Sequence, residues 1–284
     1  MTAIIVTGAS SQIGHFLLPR LAGSGWEVIA ISRSTATRAK ADGVRWLAAD
    51  IAASSVSGWP AAEVLIHLAP LRLLPSVLPG FFANGGRRVI CFGTTSRFSK
   101  AASGNQAEQA FAAAQITAER HIADLCAEAG AHWTLFRPTL IYGCGMDRNV
   151  TFIAKVIRRF GFFPLFGSAR GLRQPVHADD LATACKAVVD APQSFDKAYD
   201  LTGGETLSYR QMVERVFVAL GQSPRCVRIP MAAFRLSLWC VSRLPRFRDF
   251  NGEMARRMNE DLVFDSSPAK LDFGYAPRPF TPEF

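Results

Sequence analysis

The chain has 284 residues, of which 49% are hydrophobic and 19% charged, and its formal net charge is +9. That balance excludes a disordered chain, and the length suits one large α/β domain or such a domain with a small lobe. No apolar run is long enough to span a bilayer and no basic segment precedes an apolar one at the N-terminus, so the expectation is a cytoplasmic protein with no transmembrane segment and no signal peptide.

Cys91, Cys126, Cys144, Cys185, Cys226 and Cys240 form no C-x-x-C pair, and the five histidines show no metal-ligand spacing. Reduced thiols and no metal site are expected. The arginines form no run of five or more and show no aromatic interleaving of the single-strand-binding kind, which argues against nucleic acid. The positive excess can serve nucleic acid, an anionic membrane surface or a pocket for a phosphorylated ligand, and a phosphate-bearing small molecule is the expected reason for it.

In chain order, "AIIVTGA" reads as a short buried strand that runs into a glycine turn. "SQIGHFLLPRLAGSG" repeats Ile13, Phe16, Leu17 and Leu21 at helical spacing until Gly23–Gly25. "WEVIAIS", "VRWLAAD", "AEVLIHLAP" and "RRVICFGTT" are further buried strands. The Ala- and Glu-rich "NQAEQAFAAAQITAERHIADLCAEAG" is the longest helical pattern, and "HWTLFRP" is a sixth strand. Buried strands alternating with helices predict an α/β fold: a Rossmann-type doubly wound parallel sheet. Beyond residue 145 the pattern loosens into "NVTFIAKVIRRFG", "DDLATACKAVVDA", "KAYDLTG", "SYRQMVERVFVALG" and "RCVRIP". Residues 1–145 are therefore expected to form the dinucleotide-binding domain, with later strands contributed from about 172–205. Residues 146–284 are expected to form a smaller, interleaved substrate-binding lobe. "MAAFRLSLWCVSRLPRFRDF" is amphipathic and basic; a lobe helix packed on the core is preferred over a membrane contact.

The turn in "VTGASSQIGHF" joins strand to helix, where free backbone amides and the helix dipole bind phosphate. Gly8 permits the turn, Gly14 lets the helix approach the strand, and Ser11 stands where a middle glycine is usual. Ser10, Ser11, Gln12 and Ile13 complete the cradle. The second strand ends in Ser32–Arg33 with no acidic residue for a ribose 2′-hydroxyl, so Arg33 favours NADP over NAD. Asp50, at the end of the third strand, is placed to accept from an adenine amino group. Asp179 and Asp180 are expected to cap a helix rather than to catalyse.

Together "TGASSQIG", "WLAADI", "LIHLAP", "VICFGTTS", "LFRPTLIYG", "RQPVHADDLATA", "YDLTGGETLSYRQM" and "LDFGYAPRPF" resemble the extended short-chain dehydrogenase/reductase family of sugar-nucleotide epimerases and dehydratases. The resemblance spans nearly the whole chain and implies that Ile51, Leu68, Ala69, Gln115 and Pro138 also border the dinucleotide. It implies a sugar nucleotide or related phosphorylated substrate, held by Thr94, Thr95, Tyr142, Arg173 and Arg257. A homodimer stays open, although residues 70–87 are short for the family's interface helices.

At the catalytic centre the resemblance breaks. The family's tyrosine and lysine, four residues apart, fall on Phe111 and Gln115, and no Tyr or Lys occurs between Lys100 and Tyr142. A phenyl ring has no proton to give, and losing a positioned general acid–base costs about 10²–10⁴ in rate. Thr95 is the candidate for holding a substrate oxygen, with a backbone-bonded threonine as the other reading. Tyr142, Cys144, His67 and Lys100 are candidates for a recruited acid or base, although a core histidine is preferred for His67. Two functions stay open. One is an NADP-dependent epimerase, dehydratase or reductase with a non-standard proton donor; the other is a non-catalytic dinucleotide-binding regulatory or assembly protein.

Overall fold

The computed structural model describes residues 3–33, 43–52, 58–230 and 256–284. β1 (Ala3–Thr7) is apolar up to its last residue and buried along its whole length. A strand with no solvent face must be flanked and covered on both sides. It pairs in parallel with β2 (Glu27–Ser32) and with β4 (Val64–His67), setting Val6 beside Ala30 and Ile66. β3 (Val44–Ala48), β5 (Arg88–Phe92), β6 (His132–Pro138) and β11 (Lys197–Leu201) complete a seven-stranded sheet in the order β11-β6-β5-β4-β1-β2-β3. Every pairing in it is parallel.

Side chains that alternate along β1 feed two separate cores. Ile4 and Val6 join Leu17 and Leu21 of α1 (Gln12–Ala22) and Leu181 and Cys185 of α6 (Ala178–Ala187). Ile5 joins Val77 and Phe81 of α2 (Leu74–Ala83) and Ile122 and Cys126 of α4 (Gln106–Glu128) on the other face. This is the Rossmann-type doubly wound arrangement. Between β5 and α4 lies α3 (Ser96–Ala101), a short helix that the sequence pattern does not announce.

A third core belongs to the lobe. α5 (Val150–Phe160) and α7 (Tyr209–Ala219) bury Ile153, Ile157, Met212 and Val216 against β8 (Phe163–Phe166), which pairs with β13 (Cys226–Ile229). The expectation of sheet strands from 172 onward is corrected in part. β9 (Leu172–Arg173) and β10 (Val176–His177) are two-residue pieces that pair with β12 (Leu207–Ser208) and β7 (Ile141–Tyr142). Pro175, which lacks an N–H, separates them, and only β11 reaches the main sheet. The chain closes with α8 (Ser267–Phe273).

Cys91, Cys126, Cys144, Cys185 and Cys226 are free thiols, and no metal-binding cluster occurs among the described residues. No described helix is long and apolar enough to cross a membrane. The basic segment 231–250 lies outside the described residues.

Candidate functional site

The turn from β1 to α1 is sterically determined. Gly8 has φ +65°, and a Cβ there would lie 2.5 Å from the Ala69 amide nitrogen and 2.7 Å from the Leu68 carbonyl carbon. A Cβ on Gly14 would collide with the Ala9 carbonyl. Ser11 caps α1 by accepting from the Gly14 N–H at 3.2 Å, which leaves its own hydroxyl proton free. No acidic residue occupies the first turn of α1, so nothing there opposes an anion at the helix N-terminus. Gln12 places a buried Oε1 beside this turn without a hydrogen-bond partner among the described residues.

The other residues expected to border a dinucleotide lie at the C-terminal ends of the strands, where ligands bind open α/β sheets. Arg33 is exposed just beyond β2, and Asp50 is exposed beyond β3 with Oδ1 accepting from the Ala52 N–H at 3.0 Å. Ile51 packs partly into the second core. Leu68 and Ala69 leave β4, and Pro138 ends β6.

Phe111 is 38% exposed on α4, and the Lys100 ammonium lies 4.4 Å from its ring centroid. One turn on, Gln115 is only 7% exposed and its Oε1 has no partner among the described residues. That oxygen lies beneath the exit of β5, where a Cβ added to Gly93 would approach it to 3.8 Å. Glu119, a further turn along, is held by Arg137 at 2.6 Å and by Arg97. Two orphaned carboxamide oxygens at the strand ends suit the amide and hydroxyl donors of a dinucleotide.

Thr95 is buried, and its hydroxyl donates to the Pro138 carbonyl at 3.2 Å, which is the backbone-bonded reading. Thr94 Oγ1 accepts from the Ser96 N–H at 3.1 Å. His67 is wholly buried between Thr7 Oγ1 (2.8 Å) and the Pro70 carbonyl (3.3 Å). Burial pushes its pKa down to about 4, so it is a neutral core residue and is removed from the acid–base candidates.

Thr94 and Thr95 form one wall of a cleft of about 620 Å³, with Gln12, Asp147, Arg173 and Arg257 among its other lining residues. The two arginines are largely committed. Arg173, 5% exposed, donates to the carbonyls of Leu172 (2.6 Å), Glu260 (2.7 Å) and Arg257, which fastens the 257–260 segment beside the cleft. Arg257 itself pairs with Glu108 of α4. Asp147, which sequence reasoning missed, holds the rim by accepting from the N–H groups of Asn149 (2.9 Å) and Thr151 (3.0 Å). The D-x-N-x-T spacing was the available signal, since aspartate readily ties a loop to a following helix.

Three expectations are corrected. Tyr142 does not reach the cleft: it is 2% exposed in the lobe core, its hydroxyl between the Pro279 carbonyl (3.4 Å) and the Thr281 N–H (3.2 Å). Desolvation raises its pKa, which makes it a poor acid–base group as well. Cys144 lines a separate cleft near His177 and Arg278, with its thiol pushed upward by burial. Asp179 and Asp180 do not cap α6. His177 does, its Nδ1 accepting from the Asp179 N–H at 3.1 Å, while the two carboxylates bind Arg278 at 2.7 and 2.8 Å.

Sheet order, glycine turn and lobe cleft define a Rossmann-type protein of the extended short-chain dehydrogenase/reductase kind. The chain belongs to the NAD dependent epimerase/dehydratase family, whose model matches residues 4–76 and 71–201. Over 318 positions it is 25% identical to the 2-alkyl-3-oxoalkanoate reductase of Stenotrophomonas maltophilia (strain K279a), covering 97% of this chain and 94% of that one. A 118-residue stretch is 29% identical to the mitochondrial NADH dehydrogenase (ubiquinone) 1 alpha subcomplex subunit 9 of Arabidopsis thaliana, covering 41% of this chain and 28% of that one. Among solved structures, the UDP-glucuronic acid 4-epimerase from Bacillus cereus, in complex with UDP-glucuronic acid and NAD, matches with a TM-score of 0.75 at 15% identity. That match covers 99% of this chain and 95% of the other, and at such identity the likeness is one of fold.

Proposed function

We propose that the chain binds a nicotinamide dinucleotide along the strand ends and a phosphorylated small molecule, of the sugar-nucleotide class, in the cleft above Thr95. It does so without the family's ordinary proton relay and acts as a regulatory or assembly protein. The observation that carries this reading is the pairing of an intact cradle with a disabled centre. Gly8 and Gly14 meet the steric demands of the turn and Ser11 caps the helix, while Phe111 and Gln115 carry neither phenol nor ammonium. A bound nicotinamide supplies hydride exchange, which needs a proton delivered to or taken from the substrate oxygen. Thr95 has its proton on a carbonyl, and Tyr209, the one phenol lining the cleft among the described residues, is half-buried with its pKa pushed up to about 12 by desolvation.

The second reading is an NADP-dependent reductase or epimerase with a recruited donor. It is favoured by the Lys100 ammonium poised over Phe111 and by the full-length likeness to a reductase. Titration calorimetry with NADPH and NADH tests the shared claim, and uptake of neither removes both readings. A subsequent assay of NADPH oxidation against UDP-sugars and 3-oxo acids separates the two, since turnover by the unmodified protein removes the binding-only reading. Arg33 is the residue proposed to prefer NADP, through the 2′-phosphate. Arg33→Ala is expected to weaken NADPH about tenfold and to leave NADH unchanged; equal losses would remove the preference.

A further inference from the structure

We infer that the end of the lobe formed by α5, β8 and β13 is a docking surface for an anionic lipid bilayer. The distribution of charge is the first observation. Residues 148–178 contain five arginines and one lysine, residues 215–248 contain seven arginines, and neither stretch contains an aspartate or a glutamate. The rest of the chain has 19 basic residues against 23 acidic ones, so the whole positive excess resides in these two stretches. Of the second stretch only residues 215–230 are described, and their strand lies beside the first stretch. β13 runs parallel to β8, setting Cys226 beside Phe163 and Arg228 beside Leu165.

Some of this charge serves other ends: Arg173 holds carbonyls, Arg215 pairs with Glu205, and Arg148 lines the cleft. Lys155, Arg158, Arg159, Arg225 and Arg228 remain exposed, and none has an ion-pair partner among the described residues. A ligand confined to the cleft above Thr95 does not explain them, because none of the five lines it.

Exposed aromatic surface is the second observation. α5 ends at Gly161, φ +72°, whose N–H donates to the Ile157 carbonyl at 2.8 Å. The two phenylalanines flanking this glycine turn outward: Phe160 is 58% and Phe162 40% exposed, with ring centroids 6.3 Å apart. The Phe163 N–H donates to the Arg225 carbonyl at 3.0 Å, which brings β13 alongside, and Val227 of that strand is 48% exposed. The buried face of α5 anchors this surface in the lobe core. Cations ringing exposed phenylalanines match an anionic headgroup layer, in which each nearby Lys or Arg is attracted and the apolar rings enter the acyl boundary. A single strand of nucleic acid calls instead for a basic groove with stacking platforms along it.

The test is sedimentation of the full chain with vesicles of pure phosphatidylcholine or of phosphatidylcholine with about a third phosphatidylserine. The chain is expected to sediment only with the anionic vesicles and to be released by about 0.5 M salt. Arg158→Glu with Arg159→Glu is expected to lower partitioning at least tenfold, roughly the attraction of two basic residues. Phe160→Ser with Phe162→Ser is expected to lower it about tenfold through lost apolar contact. Unfolding midpoints control for loss of fold, with Arg225→Glu plus Arg228→Glu as the alternative charge variant. Equal partitioning onto both vesicle types overturns the proposal, as does full partitioning by the charge variants. An unchanged phenylalanine variant overturns insertion of the rings. Displacement from the vesicles by an equimolar single-stranded oligonucleotide makes nucleic acid the partner, and overturns it as well.

Discussion

His67 is a histidine whose chemistry is decided by its neighbours. It lies on a strand buried on both faces, with one ring nitrogen facing the Thr7 hydroxyl and the other the Pro70 carbonyl. Because burial lowers its pKa from the ordinary 6.5 to about 4, the folded state holds it neutral where the unfolded chain takes up a proton. Its contribution is therefore fully present above pH 6.5 and lost as the pH falls toward 4, by about 3 kcal/mol in all. Denaturant unfolding at about pH 7 and about pH 4.5 should show a smaller loss for His67→Gln than for the parent; equal losses would mean the folded-state pKa is not depressed. The reactive end is the other matter at this scale. Phe111→Tyr with Gln115→Lys places a phenol and an ammonium one helical turn apart on α4. NADPH-dependent turnover of a cleft ligand is expected to rise by about 10² over the parent. No rise, with nucleotide binding retained, would show that more than the pair has been lost. That Phe111 and Gln115 carry no phenol or ammonium was legible in the sequence because it is a matter of residue type. The unpartnered oxygens of Gln12 and Gln115 were not, since satisfaction of a buried amide depends on chain segments far away in sequence.

Elements differed in how plainly they could be read. The sheet strands were legible because strands covered on both faces are continuously apolar, and α1 and α4 because their caps and periods agree. β9 and β10 were not, since two residues around a proline carry no period. Nor could sequence show what Arg88 does at the start of β5. Its guanidinium is buried, donating to Thr134 Oγ1 (2.6 Å), to the Val188 carbonyl (2.8 Å) and to Ser194 Oγ (3.2 Å), over the face of Phe195. It thus fastens β5 to β6 and to the segment that leads from α6 into β11. Desolvation pulls its pKa down to about 10, yet it stays charged at neutral pH. Arg88→Leu strands the carbonyls and hydroxyls it satisfies and is expected to cost about 3 kcal/mol in denaturant unfolding. A cost below about 1 kcal/mol would mean that the network is closed by other donors.

For the whole molecule, the question is what holds the lobe against the sheet domain over the cleft. The α3–α4 region meets the C-terminal segment at two points. Glu108 pairs with Arg257, and Phe98 lies 5.8 Å from Phe264 between ring centroids. Arg173 in turn fixes that segment through its carbonyls, so the clasp bears directly on the cleft wall. Burial opposes ionisation of Glu108, but the Ser103 hydroxyl (2.7 Å) and the Arg257 guanidinium outweigh it and hold its carboxyl below the usual range. A depressed folded pKa means that the clasp is complete above the ordinary glutamate value and is lost as the pH falls through the folded one. Glu108→Gln removes the charge at every pH. It is expected to raise amide hydrogen exchange in both 96–105 and 256–264 at neutral pH, while the sheet strands keep their protection. Acidifying the parent should reproduce this pattern, and acidifying the variant should add little to it. Loss of protection spread evenly through the sheet would instead mean that Glu108 supports the fold as a whole rather than the closure of the cleft.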